Sequence, residues 1–203
     1  MRAKDMSLKN KIHIFNFFII IIILFSNTVF SKNDYKTTVL NHLNSLKFFS
    51  ASFLQNDGED LSEGKVYIGE KRVRAEYFLP TKILIILGED KAMYYNYELE
   101  EDEFFNPKNT NAWFFYDIFR NPLFFEDGII QLKKNELFLE KKGVDNENKN
   151  FIIRAYFERN PVILRGIQAV INDDVLEISI YNHSYNEVFH NDFFKLINPK
   201  FLN

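Results

Sequence analysis

The chain has 203 residues, 46% of them apolar and 17% aromatic, with 23 Phe, 10 Tyr, one Trp and no Cys. So large an aromatic share excludes a disordered or collagen-like chain, and the lack of Cys excludes disulfides, thiolate zinc sites, thiol nucleophiles and a lipid-modified N-terminal Cys. A net charge of −3 argues against a nucleic-acid binder, which would carry a basic stripe matched to the phosphate backbone.

Residues 1–31 read as a cleaved secretory signal. Arg2, Lys4, Lys9 and Lys11 against Asp5 give a positive start, Ile14–Phe25 is apolar but for Asn16, and Val29 and Ser31 occupy the −3 and −1 positions of a cut. The unbroken apolar run Phe17–Phe25 is nine residues long, whereas a spanning helix needs about 20; an uncleaved anchor is the alternative. The functional domain is then 32–203. Loss of those four bases and one acid leaves 21 basic and 27 acidic residues, net −6, which suits a soluble protein of the periplasm.

The first element is a helix over Asp34–Leu46, capped by Asp34, with Tyr35, Val39, Leu40, Leu43 and Leu46 on one face. From Phe48 the pattern alternates: Phe49, Ala51 and Phe53 against Ser50, Ser52 and Gln55. Asn56–Glu63 is a polar turn, and Lys65–Phe78 is a hairpin about Glu70–Arg72 that Pro80 closes. Ile83–Leu87 and Ala92–Tyr97 are strands flanking Gly88–Asp90, and Glu98–Glu103 is an acidic connection. Asn111–Phe125 breaks the β pattern with a crowd of aromatics and reads as a helix ended or kinked by Pro122. Short strands follow at Ile129–Leu132, Leu137–Lys141, Phe151–Phe157, Leu164–Ile171, Val175–Tyr181 and Val188–His190. Spacing of about 8–12 residues is the signature of an antiparallel meander or barrel.

Signs of catalysis are sparse. His13 leaves with the leader, and His42 falls on the outer face of the first helix. His183 and His190 are seven apart, matching no His-x-x-x-His or His-Glu-x-x-His spacing, so no metal is expected. Glu98–Glu103 and Asp173–Asp174 read as solvated turns. No Gly-x-Ser-x-Gly elbow, phosphate loop or Cys–His pair is present, so neither enzymatic activity nor a cofactor is expected. Most of the Phe residues belong on the inner side of a sheet. Trp113–Phe119 is different, since an aromatic helix after a run of strands could plug a half-closed barrel and leave room for apolar guests.

A resemblance covers most of residues 34–199. Leu46–Gln55, with Phe49, Ala51, Phe53 and Gln55 in a Phe-x-Ala-x-Phe-x-Gln pattern, is similar to the helix-to-first-strand segment of the outer-membrane lipoprotein carrier (LolA) family. Gly64-Lys-Val-Tyr-Ile, Arg74-Ala-Glu-Tyr with Pro80, Leu87–Tyr97 and Phe193-Phe194-Lys-Leu-Ile-Asn-Pro199 resemble later segments of that family in the same order. The Arg-Pro turn of the family is missing at Glu70–Val73, and Gly88-Glu89-Asp90 replaces its Asp-Gly turn.

The resemblance implies a mainly β fold with α: an incomplete antiparallel β-barrel with a helical lid over a hydrophobic cavity. It implies lid elements at Asp34–Leu46 and Asn111–Phe125. Leu40, Leu43, Phe49, Phe53, Trp113, Phe114, Phe115 and Phe119 would form lid and cavity, and Arg72 or Arg74 would hold the empty lid shut through its backbone carbonyls. The implied function is to ferry acylated lipoproteins as a monomer from an inner-membrane lipoprotein-releasing ABC transporter to an outer-membrane lipoprotein acceptor. A different lipid- or glycolipid-binding envelope protein on the same half-barrel is the alternative. A hydrolase using Glu98–Glu103 or His183–His190 is a third reading.

Overall fold

A computed structural model describes residues 32–133, 136–145 and 148–201, so the leader expected over residues 1–31, and its cut after Ser31, lie outside the described residues. Helix α1 (Lys32–Ser45) is followed by six strands: β1 (Phe49–Asn56), β2 (Leu61–Ile68), β3 (Val73–Leu79), β4 (Ile83–Leu87), β5 (Ala92–Asn96) and β6 (Glu101–Phe105). Helix α2 (Trp113–Arg120) then leads to β7 (Ile129–Lys133), β8 (Glu136–Val144), β9 (Asn150–Arg159), β10 (Val162–Ile171) and β11 (Asp174–Ser184).

The connectivity explains the lid. Each strand pairs antiparallel with its neighbour in sequence, except across the break between β6 and β7, and β1 also pairs with β11, so the order is β6-β5-β4-β3-β2-β1-β11-β10-β9-β8-β7. One eleven-stranded sheet results, with β6 and β7 as its two open edges. A twisted sheet this wide curls, and the chain must pass from one far edge to the other between β6 and β7. Helix α2 lies in that passage and spans the mouth of the half-barrel. Its Phe114, Ile118 and Phe119 join Val39 and Leu43 of α1, Leu46 just after it and the inward residues of the strands in one core. Pro122 follows closely on the end of α2, where Asn121 is already extended, as a residue before Pro prefers.

Local sequence accounts for the strands. In β1 the inward Phe49, Ala51 and Phe53 are buried. In β4 the run Ile83–Leu87 is apolar throughout because both faces are covered. Ile85 and Leu87 belong to the main core, while Leu84 and Ile86 pack with Met93 and Tyr95 beneath Leu196 on the outer side. Gly64 sits at a register shift between β2 and β3, where a Cβ would run into the Glu76 carbonyl oxygen and the Phe53 ring. Gly64→Ala is therefore expected to cost about 1–3 kcal/mol of stability, read as a lower urea midpoint with an unchanged slope.

Two expectations are corrected. Glu98–Glu103 is not wholly a connection, because Glu101–Phe105 forms edge strand β6, paired with β5. An edge strand bonds on one side and tolerates charge on both faces, so its acidic residues mask the β pattern. Val188–His190 is not a strand. Asn186 has φ +59 and turns the chain off β11, and Phe189 instead joins an aromatic group with Tyr67, Phe193 and Phe194 on the outer side of the sheet.

Candidate functional site

Beneath α2 lies an apolar cavity of about 230 Å³. Its floor is the inward face of the sheet: Phe53, Val66, Val73, Ala75, Ile85 and Leu87 on one half, and Ile167, Leu176, Ile178 and Ile180 on the other. Phe115 and Phe119 of α2, with Ala112 before it, form the roof. Two polar wall groups satisfy each other, the Tyr77 hydroxyl donating to Gln55 Oε1 at 2.9 Å. Burial pushes the Tyr77 pKa up to about 12, so it stays neutral near pH 7.

The residues expected at this site divide. Phe53, Phe115 and Phe119 face the cavity. Phe49 is fully buried against the His183 and Tyr185 rings, 5.8 and 5.2 Å away. Leu43 is buried and Leu40 partly buried against the same core, where they seat α1. Phe114 is buried and stacks on Phe115. Trp113 faces away from the cavity and packs edge-on against Phe114, Phe124 and Phe151. The β10 and β11 residues of the floor were not singled out by sequence, although their period-two alternation carries the signal.

Arg72 and Arg74 do not reach either helix. Arg72 Nη1 donates to the Phe194 carbonyl at 2.7 Å, and Arg74 Nη1 to that of Phe193 at 2.6 Å. Arg74 also pairs with Glu76 and lies 4.2 Å from the centre of the Phe193 ring. Both side chains are on the outer side of the sheet because Val73 and Ala75, between which Arg74 alternates, point inward. They fasten the C-terminal segment.

The arginine that joins lid to sheet is Arg120, at the end of α2. Nη1 donates to the Gly69 carbonyl at 2.8 Å and the Glu70 carbonyl at 3.2 Å, and Nη2 to the Leu46 carbonyl at 2.5 Å. One guanidinium thus ties α2 both to the β2–β3 turn and to the end of α1. Its partners here are carbonyls rather than a carboxylate, and burial pushes its pKa down from the ordinary value. Its Nε is buried without a hydrogen bond among the described residues. The joint is therefore strongly directional, yet the charge gains solvation whenever it opens.

His42 is half-buried, not on an outer face, because the C-terminal half of α1 crosses β10 where its register shifts between Leu164 and Gly166. Its Nε2 accepts from the Leu164 N–H at 3.3 Å, and His183 Nε2 lies 2.7 Å from the Leu164 carbonyl oxygen. The His42 pKa is lowered by burial and then by His183; that of His183 is lowered by burial and by Arg165. With folded pKa values depressed, the unfolded chain binds more protons, so this stability is complete above about pH 6.5 and is lost as pH falls through the folded values. Urea midpoints should drop between about pH 7.5 and pH 5.5, and less so in His42→Gln. His190 Nδ1 accepts from the Asp192 N–H and shares no site with His183. Among the described residues no cluster of His, Asp and Glu could hold a metal ion.

No family model and no curated protein matches the sequence. Solved structures do. An uncharacterized conserved protein from Thermus thermophilus is 9% identical and covers 80% of this chain and 92% of its own, with a TM-score of 0.52. The Pseudomonas aeruginosa MucA/MucB complex is 7% identical over 80% of this chain and 59% of the matched one, with a TM-score of 0.46. LprF from Mycobacterium bovis is 8% identical over 78% and 97%, with a TM-score of 0.41. The first of these places the chain in a known fold, an open antiparallel half-barrel with a helical lid.

Proposed function

We propose that the chain is a periplasmic carrier that shelters the acyl chains of lipoproteins leaving the inner membrane and hands them to an outer-membrane acceptor. The observation that carries this reading is the cavity: an apolar chamber roofed by a separate helix that packs on the core and is hydrogen-bonded to the sheet through the Arg120 guanidinium. An ordinary core has no reason to keep such a chamber, since close packing would stabilise it. Three acyl chains with about 40 methylenes would cost on the order of 30 kcal/mol in water, so an acylated protein must be covered in transit. The resting chamber is below the usual 300–1,000 Å³ of ligand pockets. Loading therefore requires Phe115 and Phe119 to swing out, guest methylenes replacing lid contacts. Carriage needs no bond chemistry and no cofactor from this chain, which works as a monomer and receives cargo from the lipoprotein-releasing ABC transporter.

Mixing residues 32–203 with inner-membrane vesicles that hold a radiolabelled lipoprotein tests this. Label should appear in the soluble fraction bound to the protein. Retention of all label by the vesicles, alongside tight binding of fatty acid or glycolipid, would favour another envelope lipid-binding protein on the same fold. Lipid turnover abolished by His190→Ala would favour the hydrolase.

A further inference from the structure

Arg120 fastens the lid at one end of the sheet, and that end carries an exposed apolar surface. Phe48, between α1 and β1, is 45% exposed although Phe49 beside it is fully buried, and Tyr185 and Val188, beyond β11, are 46% and 95% exposed. The start of β1 and the end of antiparallel β11 bring them together. The Glu187 N–H donates to the Phe48 carbonyl at 2.7 Å, and the Phe48 and Phe189 rings lie 6.5 Å apart. The backbone there is held in an unfavourable form. Phe48 has φ +52 and Asn186 φ +59, a left-handed conformation that asparagine tolerates and a bulky side chain disfavours. Such an outlier, kept at a ring that half faces water, points to use of the ring as well as to packing.

Charge tells the two ends of the strands apart. The Leu46 and Glu70 carbonyls share the Arg120 guanidinium, which brings the chain at Lys47 and at Lys71, both exposed, close together beside Phe48. Glu70 is exposed between them, whereas Glu187 accepts from the Ser50 hydroxyl at 2.7 Å. In the β4–β5 turn of the same end, Asp90 pairs with Lys108, and Lys91 offsets Glu89. The opposite end gathers Asp57, Glu59 and Asp60 in the β1–β2 turn, Glu98 in the β5–β6 turn and Asp173 in the β10–β11 turn, against Lys82. Leu79 and Leu99 are exposed at that end as well, so exposure alone does not distinguish the two. An anionic surface is repelled by the acidic end and accepted by the other. Aromatic rings, an aliphatic tip and lysines on long stems are also the side chains that settle at a membrane–water interface. We propose that the Phe48 end docks on an anionic lipid bilayer, with Phe48, Tyr185 and Val188 entering the interface and Lys47 and Lys71 among the headgroups. This rests on the acyl-carrier reading for its purpose: docking sets the Arg120 joint of the lid against the membrane that cargo leaves.

Flotation with protein-free vesicles tests it, using the chain from Lys32 on. The protein should float with vesicles of phosphatidylethanolamine and phosphatidylglycerol, about fivefold less with phosphatidylcholine alone, and come off in high salt. Phe48→Gly relieves the left-handed backbone, so it should keep the thermal midpoint and take up the hydrocarbon dye diphenylhexatriene as the wild type does, yet bind anionic vesicles about tenfold more weakly. Val188→Asp changes a side chain that packs on little and should weaken binding likewise, should Phe48→Gly fold poorly. No flotation of the wild type, equal binding by wild type and both variants, or preference for phosphatidylcholine overturns the proposal. Failure to float, together with lost lipoprotein release from inner-membrane vesicles in Phe48→Gly, overturns it in favour of a protein partner. Release by the wild type without flotation refutes the docking alone, and flotation without release or dye uptake refutes the carrier reading while the docking surface stands.

Discussion

Arg120→Leu should speed uptake of diphenylhexatriene into the apolar chamber by on the order of tenfold or more, while changing global stability by no more than about 2 kcal/mol. The two effects separate because Arg120 acts on one joint. Its hydrogen bonds to the Gly69, Glu70 and Leu46 carbonyls exist only while α2 is down. Charged hydrogen bonds contribute about 1.5–3 kcal/mol each, but the guanidinium is held out of water without an anion among those partners, which returns much of that in desolvation. Leu removes both contributions, and the net loss of about 1.4–2 kcal/mol falls equally on global unfolding, where it is a small fraction, and on lid opening, where it is a large one. The opening equilibrium loses its directional restraint, and every 1.4 kcal/mol taken from it is about tenfold in the open population. Stopped-flow dye uptake and amide exchange of Trp113–Arg120 measure this directly. Arg72→Leu is the control: its bond is to Phe194, so exchange should rise over the C-terminal segment with dye uptake unchanged. Faster uptake in Arg72→Leu with none in Arg120→Leu would return the lock to the outer arginine.

That contrast shows where sequence stops being informative. Alternation in Phe49–Phe53 and in the later strands was legible because burial on one face imposes a period of two. The charged edge strand Glu101–Phe105 was not, since an edge with both faces near water lacks that constraint. The lid was legible as an aromatic segment out of phase with the strands, but its position over the mouth follows from its passage between the two far edges, which depends on β1 pairing with β11. The resemblance points to Arg74 on β3, or to Arg72 just before it, as the arginine that holds the lid. The side of the sheet on which an arginine projects is set by register, and register put these two on the outer side. Arg120 carried no motif. Its role arises from helix length, which brings the last turn of α2 above the β2–β3 turn.

The cavity itself supports the second large effect. Ala75→Phe is expected to weaken acyl-chain and diphenylhexatriene binding on the order of a hundredfold while leaving the thermal midpoint unchanged or higher. Ala75 lies mid-strand in β3, opposite Val66 of β2 and Ile85 of β4, and all three line the chamber. An added ring therefore has one direction to go, into space that no side chain of the described residues fills. Placing methylenes in a filled core forces neighbours aside and costs about 1–3 kcal/mol. Here the same ring gains dispersion contacts with Phe115 and Phe119, so the substitution stabilises the closed lid as it removes the guest's place. A core that happened to be loosely packed and a chamber kept for a ligand thus give opposite results in one variant: stability gained without loss of any activity in the first, stability gained with carriage abolished in the second. If Ala75→Phe raises the midpoint and still releases lipoprotein from vesicles at the wild-type rate, the chamber is a packing defect and the guest must bind elsewhere.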